Sequence, residues 1–387
     1  MTHSLTATSL LDHAVDSAWP TQLHNDNYTA VGARPIRSAG VMGSSETAIS
    51  IATALLDAGI PVTLLERSAD ALDRALADIA QCGQIPRAQS DARLALLTPT
   101  RWFVAMSSAD ILFEAMADEL PRVAAALGEL ARVARPRAII VSTHRALDAQ
   151  QLAQVTARPR DSVRMSLVGS ARSQNIIEIS NSASIAPEAL KTVCELAQKL
   201  NKTAVLCGSH SDSIGARMVA EYARQAYFLL DAGASFEQID CAMEACGFEM
   251  GPFRLHDALG NDNVRAICKL RLLDRPTGRW DRIADRLFAT GRFGQKCGAG
   301  WYDYSGEGCM PVPSSQVREL VERHRTDLGL RTRPLHAHEI ANRLVGALVE
   351  EGARLLEERV AESTADIDLV CTRGYGFLPL MTRSASG

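Results

Sequence analysis

Cationic side chains are not in excess: 41 Lys and Arg stand against 45 Asp and Glu, for a formal net charge of -4 and a pI near 6.2. That balance leaves no electrostatic footprint for nucleic acid or for an anionic membrane surface, so neither is expected as a partner. No apolar stretch reaches the roughly eighteen uninterrupted residues of a spanning helix, and a membrane segment is not expected. The first thirty residues lack a basic start followed by an apolar core, so secretion is not expected and a cytoplasmic location follows. Nine cysteines are scattered without zinc spacing, and no metal site is expected. Cys241 and Cys246, in CAMEAC on a predicted helix, read as reduced core thiols.

What is present is an ordinary globular balance over 387 residues, enough chain for two or three domains. Residues 1–32 form a polar leader with at most a short helix at Leu10 to Ser17. From Pro35 the chain reads PIRSAGVMGSSETAISIATALLDAGIPVTLLER: an extended run, a glycine turn, a helix with apolar spacing and a second apolar run ending in Glu66. This is a βαβ unit for a dinucleotide, and NAD is the expected cofactor. A Gly-x-Gly-x-x-Gly fingerprint laid on it falls at Ser38, Gly40 and Gly43. Gly40 would admit the pyrophosphate to the backbone and Gly43 would let the helix approach the strand, while Ser38 breaks the pattern at the turn. Glu46, in the first helical turn, adds negative charge where phosphates would lie. Glu66, 23 residues after Gly43, has the spacing of a carboxylate that grips a ribose 2′-hydroxyl, which favours NAD over NADP.

Strands and helices then alternate. A helix at Ala69 to Gln81, a loop, the strand-like ADILFEAM, a helix at Leu120 to Val133 and AIIVS ending at Ser142 precede further strands at SVRMSLV, NIIEIS and KTAVLC. The pattern predicts an α/β domain with a Rossmann-type, mostly parallel sheet over residues 33–212. Beyond it the segment from Arg217, RMVAEYARQAYFLLDAGASFEQIDCAMEACGF, is echoed from Arg343 by RLVGALVEEGARLLEERVAESTADIDLVCTRGYGF. Two related all-α domains are therefore expected, at 213–310 and, as a truncated repeat, at 311–387. Their paired helices are expected to pack within the chain or to form a homodimer surface.

PIRSAGVMG with AGIPVTLLER, ADILFEAM, NIIEIS, SIGARM, FEMGPF and FGQKCGAGWYDY resemble the 3-hydroxyacyl-CoA dehydrogenase family, in particular the dehydrogenase part of bifunctional β-oxidation proteins that also carry an enoyl-CoA hydratase module. The resemblance covers about residues 33 to 378, and no hydratase module is expected within this sequence. It implies NAD and an acyl-CoA or related thioester between the domains, with Glu114 on the cofactor side. It also implies a His base held by a Glu twelve residues later. The Glu is Glu178, but the His position is Ser166. The family Asn before Arg-Met falls at Ala216, its Asn-Thr-Ser loop at Thr143, His144 and Arg145, a common Lys at Val123 beside Arg122, and a further glycine at Ser45. Thr143 and Arg145 are thus substrate-side positions, and His144 is the one imidazole near the former site.

Imidazole suits this reaction because its pKa lies near neutrality and a carboxylate fixes its orientation. A serine hydroxyl cannot take the proton without another base. Three readings follow: a dehydrogenase homologue whose ordinary activity is weak or lost, a non-catalytic acyl-CoA-binding or scaffold subunit, and an enzyme repurposed for another step on a CoA or carrier thioester in a biosynthetic pathway.

Overall fold

The computed structural model describes residues 31–82, 86–169, 175–208, 213–274, 282–304 and 310–384; the short leader helix expected at Leu10 to Ser17 lies outside them. The sheet domain runs β1 (Ala39–Met42), α1 (Glu46–Asp57), β2 (Val62–Leu65), α2 (Ala69–Gln81), α3 (Arg87–Ala95), β3 (Leu97–Thr100), β4 (Ile111–Glu114), α4 (Leu120–Val133), β5 (Ile139–Ser142), α5 (Ala149–Thr156), β6 (Ser162–Val168), β7 (Ile176–Ser180), α6 (Pro187–Lys199) and β8 (Thr203–Cys207). The eight strands order as β3-β2-β1-β4-β5-β6-β7-β8 and are parallel except for the β6–β7 pair. β1 and β4 are neighbours that are not consecutive in the chain, so the order reverses beside β1 and opens a crevice at the carboxyl ends of the strands. Central strands are apolar because helices cover both faces. β3 went unrecognised in the sequence for the opposite reason: LTPT is an edge strand, partly exposed, with a proline that a central strand would not tolerate.

The helical part follows as α7 (Ile214–Ala232), α8 (Phe236–Ala245), α9 (Pro252–Leu259), α10 (Asn261–Asp274), α11 (Arg282–Ala289), the short pair β9 (Tyr302–Asp303) and β10 (Val312–Pro313), then α12 (Ser315–Asp327), α13 (Ala337–Glu357), α14 (Thr364–Tyr375) and α15 (Met381–Ser384). The internal repeat is visible in its capping. Asp240 of α8 accepts from the N–H groups of Phe253 and Arg254 at the start of α9, and Asp368 of α14 accepts from those of Leu380, Met381 and Thr382 at the start of α15. One carboxylate in each module thus satisfies the orphan donors of the next helix. The long helices α7 and α13 pack against each other inside one core. Between them lies a buried ion network: Arg217 Nε donates to Glu351 Oε1 at 2.6 Å, Arg271 Nη2 to the same oxygen at 3.0 Å, Arg354 Nε to Oε2 at 2.7 Å, and Arg217 also pairs with Glu358.

The cysteine reading is partly corrected. Among the described residues Cys194, Cys207, Cys268 and Cys371 are buried thiols outside any disulfide, but Cys241 and Cys246 are exposed, because α8 turns that face away from α9 and the core. The FGQKCGAGWYDY segment is an ordered turn: Asp257 accepts from Trp301 N at 2.8 Å and Tyr302 N at 2.9 Å.

His256 of α9 is fully buried against Tyr227 and Phe253, and neither ring nitrogen has a hydrogen-bond partner among the described residues. Burial pushes its pKa down from 6.5 to about 3. Below pH 6.5 the unfolded chain takes up a proton that the folded chain refuses, so this contribution is intact above about 6.5 and is lost as pH falls toward 3. His256→Leu is expected to remove roughly 2–3 kcal/mol of the stability difference between about pH 7.5 and 4.5. Thermal melts of both proteins at the two pH values check it.

Candidate active site and cofactor cleft

β1 extends to Met42, so the turn out of the strand begins at Gly43. Gly43 has φ +115, and a Cβ added to it would meet the Ala115 carbonyl oxygen at 2.7 Å. The helix starts at Glu46, capped by Ser45. The three fingerprint positions therefore fall at Gly43, Ser45 and Ala48, five residues later than at Ser38, Gly40 and Gly43. Ser38 and Gly40 are corrected. Ser38 precedes the strand, about 13 Å from its carboxyl end at the usual rise, where its N–H donates to Asp110 Oδ2 at 3.0 Å. Gly40 lies inside β1, where a Cβ would collide with Met106 and Leu112, so it serves sheet packing. The signal that marks the helix start was legible: Ser45 followed by an acidic residue is a cap and first turn.

Ser45 Oγ accepts from Ala48 N at 3.1 Å and donates to the Ala115 carbonyl at 2.6 Å. The protein's own hydroxyl thus occupies a donor at the helix end where a glycine would leave it open. Glu46 stands beside it in the first turn, and Ser45, Glu46 and Thr47 line the cleft described below. Glu66 directly follows β2 at the same edge of the sheet, and its Oε1 accepts from Ser68 N at 3.1 Å. Glu114 is fully buried, with Oε1 accepting from Met116 N at 2.8 Å and Oε2 from Ser142 Oγ at 2.6 Å. Burial pushes its carboxyl upward against those two donors. It clamps β4 to β5 rather than facing the cleft, a correction to its expected cofactor-side position. Thr143 reinforces the clamp, its N–H and hydroxyl donating to the Glu114 carbonyl at 3.0 and 3.1 Å.

His144 does not reach the former base position. Its Nδ1 accepts from Ala146 N at 3.3 Å, so the proton sits on Nε2, which donates to the Asp118 carbonyl at 3.2 Å. Burial lowers its pKa, and the ring is a brace within its loop. Val123 is buried in the core, and the exposed Arg122 pairs with Asp118, which lines the cleft described below.

Ser166 and Glu178 are brought together directly. They oppose one another across the antiparallel β6–β7 pair, on the face toward the helical domain, while Met165, Leu167, Ile177 and Ile179 pack on the other face. Glu178 is buried, with Oε1 accepting from Gly215 N at 3.0 Å at the start of α7. Burial drives its carboxyl above the usual range, opposed by the Gly215 N–H and the Ser213 hydroxyl. Its Oε2 is buried with no hydrogen-bond partner among the described residues. A buried carboxylate oxygen without a donor is costly, and a serine side chain is too short to supply what an imidazole would. Ala216 lies one residue on, half-buried, and offers no side-chain hydrogen bond.

Two adjoining cavities surround this point. A cleft of ≈ 750 Å³ runs from Ser45 and Glu46 past Thr143 to α9, α10 and Tyr375, and a smaller cavity of ≈ 220 Å³ lies beyond Ser166 and Ala216; both are lined by Arg145 and Ser166. Sequence reasoning missed Arg164 and Tyr375. Arg164 stands two residues before Ser166 on the same strand face, buried, with Nη1 donating to Ser180 Oγ at 3.4 Å. The period of two along SVRMSLV could have shown it. Tyr375 arrives from the second module, close enough that a Cβ on Gly215 would meet its hydroxyl at 2.6 Å. Among the described residues no group of side chains is arranged to hold a metal, and no helix is long and apolar enough to cross a membrane.

Residues 38–210 match the family model for the 3-hydroxyacyl-CoA dehydrogenase NAD binding domain, and residues 214–304 match that for the C-terminal domain. The peroxisomal bifunctional enzyme of Cavia porcellus is 31% identical over 381 residues, covering 91% of this chain and 51% of its own length. That of Danio rerio is 32% identical over 361 residues, covering 89% and 50%. The chain therefore spans about half the length of the curated relatives it matches. Among solved structures, 3-hydroxybutyryl-CoA dehydrogenase from Escherichia coli K12 has a TM-score of 0.74 at 21% identity, covering 92% of each chain. The likeness is one of fold, and it extends through the second helical module.

Proposed function

This chain belongs to the 3-hydroxyacyl-CoA dehydrogenase family, and from that premise we propose that it binds an acyl-CoA or related thioester in the interdomain cleft while ordinary NAD-dependent dehydrogenation is lost or greatly weakened. The observation that carries the reading is the buried Glu178 Oε2 without a partner, directly across the strand pair from Ser166. The orienting carboxylate remains, and the ring it would orient does not.

The cofactor end supports the same reading. When bound in such a fold, NAD accepts or supplies the hydride. Glu66 suits a ribose hydroxyl, since Ser68 N engages only one of its oxygens. The pyrophosphate does not fit equally well. Ser45 places a side chain where the second glycine would allow backbone approach, and its hydroxyl already satisfies Ala48 N. Glu46 then sets a like charge beside the phosphates, opposing the attraction of the helix end. No hydride step is assigned to this site on that basis. Fluorescence titration with NADH is expected to show no saturable enhancement for the unmodified chain. Ser45→Gly combined with Glu46→Gln is expected to produce one. Saturable micromolar binding by the unmodified chain would remove this part of the reading.

A further inference from the structure

The smaller cavity has a chemical character that the loss of a catalytic pair does not account for. Four arginines line it, Arg145, Arg164, Arg217 and Arg271, with Ser166 and Ala216 between them. Arg217 and Arg271 are balanced from behind by Glu351, and Arg217 also by Glu358, so the inner wall is neutralised by the helical core. Arg145 is not held by either of these carboxylates: it is exposed and lines both the cleft and the cavity. Arg164 is buried on β6 with its guanidinium against Ser180. Asp148, the one acidic side chain in the lining, has Oδ1 occupied as the cap of α5, accepting from Gln151 N at 2.6 Å.

Cationic side chains therefore outnumber anionic ones where two short side chains leave room. Each water takes about 30 Å³ in the liquid, so ≈ 220 Å³ accommodates a carboxylate with a few carbons. Guanidinium groups match that planar anion, and their hydrogen bonds to it are stronger than neutral ones. We propose that this cavity is a carboxylate subsite formed by Arg145 and Arg164 beside Ser166, and that the thioester in the adjoining cleft bears a terminal carboxylate on a short acyl chain. The geometry supports it, because Arg145 and Ser166 form the boundary shared by the cleft and the cavity, so an acyl chain entering from the cleft ends among the arginines. Glu178 is engaged elsewhere, its Oε1 accepting from Gly215 N at 3.0 Å at the start of α7. The inference rests on the thioester reading above and goes beyond it by naming the acyl class.

Calorimetric titration of the full chain with succinyl-CoA, butyryl-CoA and free succinate tests it, since the two acyl groups have the same carbon count. Succinyl-CoA is expected to bind about 10- to 100-fold more tightly than butyryl-CoA. Arg145→Ala and Arg164→Gln are each expected to bring that ratio toward one. Arg145→Ala changes an exposed side chain and keeps the test readable if the buried substitution fails to fold. Equal affinity for the two thioesters overturns the subsite and leaves the thioester reading standing, as does a ratio unchanged in Arg145→Ala. Binding of neither thioester to folded protein overturns both. Free succinate binding as tightly as succinyl-CoA supports the subsite and overturns the thioester.

Discussion

NADH-dependent reduction of acetoacetyl-CoA is expected to rise by at least about 10²-fold when Ser166→His, Ala216→Asn, Ser45→Gly and Glu46→Gln are combined. Two of these changes restore chemistry and two restore the place where the cofactor's phosphates lie. Loss of a general base alone costs about 10² to 10⁴ in rate. Loss of a donor to the developing oxyanion costs about 10² to 10³. The two need not multiply, because groups that act as a unit are not additive. Ser166→His is favoured locally: it stands opposite Glu178, whose Oε2 is buried and awaits a donor. The pair at Ser166 and Ala216 changed without the cofactor pair is expected to gain far less under the proposal above, since Ser45 still caps Ala48 N and Glu46 still stands in the first turn. Steady-state rates for the three proteins, with NADH titrations alongside, separate the contributions.

Glu351→Ala is expected to lower stability by about 3–5 kcal/mol, the scale for breaking a buried ion pair by removing one partner. The side chain is 2% exposed and holds Arg217, Arg271 and Arg354 at once. Its loss leaves Arg217 in the α7–α13 interface with Glu358 as its counterion among the described residues. The effect should appear as a fall in melting temperature of roughly 6–20 °C, at about 2–4 °C per kcal/mol for domains of 150–250 residues. Arg217→Met with Glu351→Leu should recover much of it, because burying two apolar groups avoids the desolvation that the charged pair requires. A melt of Glu351→Ala within a degree or two of the unmodified chain would mean that the network carries little of the contact between the modules.

Much of this architecture was legible because it is periodic. The βαβ unit, the alternation that follows and the repeat from Arg217 and Arg343 are patterns of burial, and burial is what a sequence records most plainly. The pairing of Ser166 with Glu178 was legible only through the family resemblance, and the antiparallel β6–β7 ladder sets the two opposite one another. Errors arose where a short local motif had to be placed within a pattern. Three glycine-compatible positions at Ser38, Gly40 and Gly43 met the spacing, yet the strand continues through Gly40 and the turn waits for Gly43. Only the cap at Ser45 distinguishes the two registers in the sequence. The family resemblance put Glu114 on the cofactor side, but Ser142 on the neighbouring strand draws its carboxyl inward. Arg164 was passed over because a cation within an apolar strand has no partner in the sequence. The cavity that gives it meaning is made by Arg145 and by α7, far apart in the chain.

The central claim is that a dehydrogenase frame persists here without the proton acceptor its reaction demands. Incubation of the unmodified chain with NAD and (S)-3-hydroxybutyryl-CoA, followed through the nicotinamide absorbance, tests it most directly. The account predicts no formation of NADH above the background without enzyme, at any pH from neutral to mildly alkaline. Sustained NADH formation at the turnover of an ordinary dehydrogenase would contradict it.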